Sequence, residues 1–84
     1  MKRYEKVHEK INVLTLYKSQ KTRIVGFRWQ DRLYKIDGNN LITKAQKGTA
    51  PVYLFSVSNK KGAYQLRLET ETLAWFLEEI IWED

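Results

Sequence analysis

The chain is expected to fold as one all-β domain over residues 1–84, a small antiparallel meander of five or six strands curled into a barrel or roll. Three observations carry that expectation. Apolar and polar residues mostly alternate, the period-two pattern of half-buried strands. Polar clusters such as Asp37–Asn40 and Asn59–Gly62 interrupt the pattern as turns. Pairing the strands about such turns then gathers nearly every aromatic onto one face. Closing so short a sheet would also remove its exposed edges.

Taken in order, the first strand spans Val7–Lys18. Ile11, Val13, Leu14 and Leu16 break strict alternation there, which a β-bulge near Val13 or burial on both faces explains. Arg23–Ile36 reads as a hairpin. A turn at Asp31–Arg32 sets Trp29 opposite Tyr34 and Phe27 opposite Ile36; a three-residue loop is the alternative, since Asp-Arg suits a primed turn poorly. After the Asp37–Asn40 turn, Leu41–Ala50 is either a short edge strand or a loop. Pro51 opens the next strand, where a missing N–H is tolerated.

Val52–Ser58 and Ala63–Glu69 form a second hairpin. Its loop, Asn59–Gly62, pairs Val57 with Tyr64, Phe55 with Leu66 and Tyr53 with Leu68, and Gly62 is expected to supply a positive φ. The last segment, Leu73–Trp82, fits two patterns. Leu73, Phe76, Leu77, Ile80 and Ile81 have helical spacing, with Thr72 as a cap. As a strand entered by a turn at 69–72, it sets Leu73 opposite Leu68, Trp75 opposite Leu66 and Leu77 opposite Tyr64.

Composition excludes several classes. Hydrophobic residues make up 43% of the chain and aromatics 13%, enough for a core and too much for a disordered tail. There is no cysteine, so neither a disulfide nor a thiolate site is available. The N-terminal MKRYEKVHEK lacks the apolar stretch of a signal peptide, and no apolar run reaches the roughly 18 residues of a membrane helix. The expectation is a cytoplasmic protein with no membrane partner.

The net charge of +5 is unevenly spread. Residues 1–68 hold all 15 Lys and Arg against four acids, Glu5, Glu9, Asp31 and Asp37. The last sixteen residues hold six acids and no base. Such a basic body either steers a polyanion towards it or is neutralised by the acidic segment folding across it.

Two blocks look familiar. FRWQDRLYKI (Phe27–Ile36) resembles the FRW-x-x-R-x-Y-x-[IV] signature of a family of short, functionally uncharacterised bacterial β proteins. YQLRLETETLAWFLEEI (Tyr64–Ile80) resembles that family's Y-x-L-R…W-x-L-E-x-[IV] block. Family members typically carry a Pro and a Gly in the turn where this chain has Thr70 and Leu73, and residues 1–22 lie outside the resemblance. The resemblance implies a strand for Leu73–Trp82. It implies no activity, and its only functional association is with bacterial lesion-bypass polymerases, hence with DNA.

Catalysis finds no support in the residues. His8 is the single histidine and has no evident partner for a triad or zinc site, and no catalytic or metal-binding set and no cofactor is expected. Glu78 and Glu79 should point to opposite faces of a strand, so they form no acid/base pair. No phosphate-binding glycine motif is present. Trp29, Tyr34, Tyr64 and Trp75 share their face with aliphatics and read as core.

The opposite face carries Arg28, Lys35, Gln65, Arg67 and Phe76, a mixture with which barrel folds grip single strands. Arg28, Lys35 and Arg67, with the loop lysines Lys60 and Lys61, are the candidate phosphate contacts, and Phe76 the candidate stacking residue. The competing reading is an ordinary solvated face. The expected function is therefore a non-enzymatic module binding DNA or RNA. The alternative is a protein-interaction or homo-oligomerising module, since Ile80-Ile81-Trp82 is very apolar for a chain end.

Overall fold

Alternation sets which residues share a face, and turn geometry sets which strands meet. The structure, a computed structural model, describes residues 2–83. Its strands are β1 (Lys2–Lys18), β2 (Lys21–Trp29), β3 (Arg32–Lys35), β4 (Gly38–Lys47), β5 (Ala50–Asn59), β6 (Gly62–Glu69) and β7 (Ala74–Glu83). They form one antiparallel sheet in the order β3-β2-β1-β7-β6-β5-β4.

The all-β antiparallel expectation holds, with two corrections. There are seven strands rather than five or six: β4 takes in Gly38–Asn40 of the expected Asp37–Asn40 turn and Leu41–Lys47 of the ambiguous stretch, because this segment pairs with β5. The sheet is not closed into a barrel, because β3 and β4 lie at opposite edges with no ladder between them.

The open sheet still folds over. Phe27 of β2 and Tyr64 of β6 meet edge to face with ring centroids 5.2 Å apart, although β1 and β7 lie between their strands. Phe27 also stacks on Tyr34 at 4.9 Å. Side chains fasten the fold where a ladder is missing. The Asn39 carboxamide accepts from Ile24 N at 2.8 Å and donates to Ile24 O at 2.9 Å, standing in for a strand residue. The backbone of Asp37 donates to Ser58 O at 3.0 Å. Phe27, Ile24, Val57, Tyr64, Leu66, Leu77 and Ile80 form the fully buried centre.

Turn chemistry corrects two registers. The β2–β3 turn is Gln30-Asp31, not Asp31-Arg32; both residues have positive φ, 52° and 60°. Phe27 therefore faces Tyr34, a shift of two residues that leaves every side chain on its expected face. Ser19 and Gln20, also left-handed, make a similar turn between β1 and β2. The β5–β6 register is as expected, Val57 with Tyr64, Phe55 with Leu66 and Tyr53 with Leu68. The expected positive φ at Gly62 is not found, since among the glycines only Gly48 is left-handed. Glycine is required at 62 for space: a Cβ there would lie 2.3 Å from Ile81 O.

The last segment is strand β7, shifted by two from the expected register, so Trp75 faces Leu68 and Leu77 faces Leu66. A bulge follows at Glu78, after which Ile80, rather than Leu77, faces Tyr64. The bulge turns both Leu77 and Ile80 into the core, each fully buried. It also corrects the expectation for Glu78 and Glu79: Glu78 reaches Arg67 and Glu79 pairs with Gln65, so both lie on the outer face. A matching bulge in β1 falls at Val7–His8, where His8 has φ 54°. In the β1–β2 ladder the expected irregularity near Val13 lies between Leu14 and Thr15, but the extra residue is Val25 of β2 rather than a residue of β1. Burial on both faces does not occur, as Leu14 and Leu16 are about half exposed.

Tyr64 is 2% exposed, and its hydroxyl donates to Asn59 Oδ1 at 3.1 Å. Burial raises its pKa above the ordinary 10.0; the Asn59 hydrogen bond opposes the shift and the neighbouring Tyr34 adds to it. The folded state thus holds this proton more tightly than the unfolded chain. The contribution is fully present below the unfolded value and is lost as the pH rises past it. Above about pH 10, urea midpoints should accordingly fall more steeply with pH for the native chain than for Tyr64→Phe, which itself loses about 1 kcal/mol at neutral pH. Equal slopes for the two proteins would rule out this role for Tyr64.

Candidate functional site

Three of the six candidate contacts come together. Lys35, Lys60 and Lys61 line a cleft of ≈ 420 Å³ with Arg32, Tyr34 and Trp82. The other three lie elsewhere. Arg28 is exposed on the outer face of β2, opposite Leu33. Arg67 and Phe76 are cross-strand partners in the middle of the outer face. Arg67 Nη1 bonds Glu69 Oε2 at 2.6 Å, and its Nε faces Glu78 Oε2 at 3.4 Å as an ion pair without a hydrogen bond. The guanidinium lies 4.4 Å from the Phe76 ring centre. The ring is capped by a cation from its own sheet, and that cation faces two carboxylates.

The position of β7 explains this split. It runs between β1 and β6, so its acids stand beside their bases. Glu78 Oε1 lies 3.1 Å from His8 Nδ1, and Glu79 is the cross-strand partner of Lys6. The acidic segment thus answers part of the positive charge at the sheet centre. The charges of β3 and of the β5–β6 turn remain grouped at one end of the folded sheet.

Asn59 builds that end. Its Oδ1 accepts from Lys61 N at 2.8 Å and Gly62 N at 3.1 Å, an Asx turn that fixes Lys60-Lys61 without left-handed residues. The same oxygen takes the Tyr64 hydroxyl, and Asn59 Nδ2 donates to Lys35 O at 2.8 Å. One side chain therefore ties the lysine turn to β3 and to the core. The floor is equally determined. Trp82 Nε1 donates to Glu5 Oε1 at 3.1 Å, the Arg3 guanidinium lies 5.8 Å from its ring centre, and Glu83 N donates to Lys61 O at 2.9 Å. Trp29 is held similarly, its indole donating to Glu9 Oε1 at 3.0 Å.

The cleft sets four cations, Arg32, Lys35, Lys60 and Lys61, against one lining acid, Asp37. Tyr34 stacks on Phe27 with one ring face and is half-buried, as is Trp82. A phosphate would find several donors, and a planar group would find an aromatic wall. Sequence reasoning missed Arg32 and Asn59, and it assigned Trp82 to a protein-interaction surface rather than to this cleft. The available signal was the Asn-Lys-Lys-Gly turn itself, because an Asn at the first turn position organises the backbone that follows.

No helix among the described residues is long and apolar enough to cross a membrane. No family model, no curated protein and no solved structure matches this chain.

Proposed function

We propose that this chain is a non-enzymatic nucleic-acid-binding module that takes a single strand of DNA or RNA at the Arg32–Lys35–Lys60–Lys61 cleft. One observation carries the reading: residues from two separate hairpins converge on one cleft, bringing four cations beside Tyr34 and Trp82. Cations that track a backbone beside rings that accept bases are the recurrent means of holding single strands. Arg28, exposed on the neighbouring β2, extends the positive surface outward. A cytoplasmic, bacterial setting and kinship with the family of the FRW block belong to the same proposal.

The test is fluorescence anisotropy with a labelled oligothymidylate and a labelled duplex. Neutralising four phosphates on a single strand gives a slope of log K against log salt near −3, from about −0.7 per contact. Binding to the single strand at low salt with such a slope supports the reading. No binding at low salt, or binding insensitive to salt, removes it.

A protein-interaction reading draws on a different observation. Leu14 and Leu33 are about half exposed and flank Gly26 on the outer face, where a Cβ would lie 3.8 and 3.5 Å from their side chains. Trp82 offers this reading less than its sequence position suggests, since its indole N–H is already bonded to Glu5. A strictly monomeric mass at millimolar concentration would count against a homo-oligomer.

A further inference from the structure

The other end of the folded sheet carries a cleft of a different kind. It has a volume of ≈ 440 Å³, and none of its eight lining residues is charged. Ile24, Ile42, Phe55, Leu68 and Trp75 supply its apolar wall, and Phe55 and Trp75 face each other with ring centres 5.1 Å apart. Thr15, Thr22 and Tyr53 add hydroxyls, none of which bonds to another described residue.

The topology keeps this cleft open. The Asn39 side chain clamps β4 to Ile24 of β2. Beyond the clamp β4 is an edge strand, paired with β5 alone, while Lys21–Arg23 of β2 pair only with β1. Ile42 is therefore 56% exposed although it faces the cleft. A cation, Lys44, stands beside the cleft. Lys44 follows Ile42 by two residues and is the cross-strand partner of Tyr53, so it leaves the sheet on the cleft side. It is exposed and makes no ion pair with another described residue.

We infer that this cleft binds a small apolar anion, an aliphatic or aryl carboxylate, with its hydrocarbon against Phe55 and Trp75 and its carboxylate at Lys44. The volume falls within the roughly 300–1,000 Å³ of small-ligand sites, and an apolar wall with a few hydroxyls is their usual lining. An uncompensated cation beside the cleft selects an anionic head. The site is independent of the proposed nucleic-acid cleft, which shares no lining residue with it.

The probes are dodecanoate and dodecyltrimethylammonium, each below its micellar concentration, titrated into the full chain by calorimetry and by amide chemical shifts. The expected result is one molecule of dodecanoate per chain, with shifts at Thr15, Thr22, Ile42, Lys44 and Trp75 and weaker binding of the cationic analogue. Lys44→Glu should weaken dodecanoate about tenfold, through loss of attraction and gain of repulsion at a solvent-exposed rim. It should leave the cationic analogue unweakened. Ile42→Gln, a substitution at an exposed edge position, should weaken both.

Three outcomes would overturn the inference: no binding of dodecanoate, several molecules bound per chain, or binding untouched by both substitutions. Shifts confined to the outer edge of β4, without Trp75, would also overturn it and would indicate strand addition instead. Oligonucleotide binding is unaffected by Lys44→Glu if the two sites are distinct, so failure of either proposal can be recognised separately.

Discussion

Phe27→Ala is expected to cost about 4 kcal/mol, within the 3–5 kcal/mol typical of a buried phenylalanine truncated to alanine. Phe27 is fully buried, stacked on Tyr34 at an interplanar angle of 2° and edge-on to Tyr64. These contacts hold the β2–β3 corner onto β6, and no ladder connects those strands. The surrounding cavity cannot collapse easily, because Phe27 sits between rings whose positions are fixed by β3 and by Asn59. Small domains have only about 5–15 kcal/mol in total, so the loss removes a large share of the stability. Urea unfolding followed by circular dichroism and by Trp emission measures it. Phe27→Leu, which keeps most of the apolar volume, should cost less than half as much. Equal losses for the two variants would mean that ring packing does not hold the fold-over.

Faces were legible in the sequence, and registers only where the turn announced itself. The polar run Asn59-Lys60-Lys61-Gly62 marked the position of its loop, and the β5–β6 pairs follow from that position although Gly62 is not left-handed. Gln30-Asp31 carries no glycine, so its left-handed conformation was hidden and the register slipped by two. Slipping by two preserves the face, so the core was identified although the partners were not.

The helical spacing of Leu77, Ile80 and Ile81 had a physical source other than a helix. A bulge at Glu78 turns the strand by one residue and sets two core side chains three apart. Openness was the feature least visible. A closed barrel was expected because closure removes edges, whereas β4 stays an edge strand that the Asn39 carboxamide bridges to Ile24 of β2. The site was half legible for a related reason. Lysines at a turn are conspicuous, but their convergence with Arg32 and Trp82 depends on the fold-over, and the pairing of Arg67 depends on the bulge that aims Glu78 at it.

The largest functional effect is expected from Lys60→Glu combined with Lys61→Glu. Both side chains are exposed on a turn whose shape comes from Asn59 and Gly62, so charge inversion leaves the fold in place. Two phosphate contacts become two repulsions. Single-strand affinity should fall at least about tenfold at low salt, and the salt slope should shrink by about 1.4, the share of two contacts. The informative comparison is Lys18→Glu with Lys21→Glu. These exposed residues flank the Ser19-Gln20 turn as cross-strand partners, and the exchange alters net charge by the same amount. Attraction by overall charge would weaken equally in both double variants, and the cleft would then lose its claim. With both double variants compared at physiological salt, local recognition predicts a large loss at the Lys60-Lys61 turn and a small one at the Lys18/Lys21 turn, because screening there limits the reach of an exposed charge to about 8 Å.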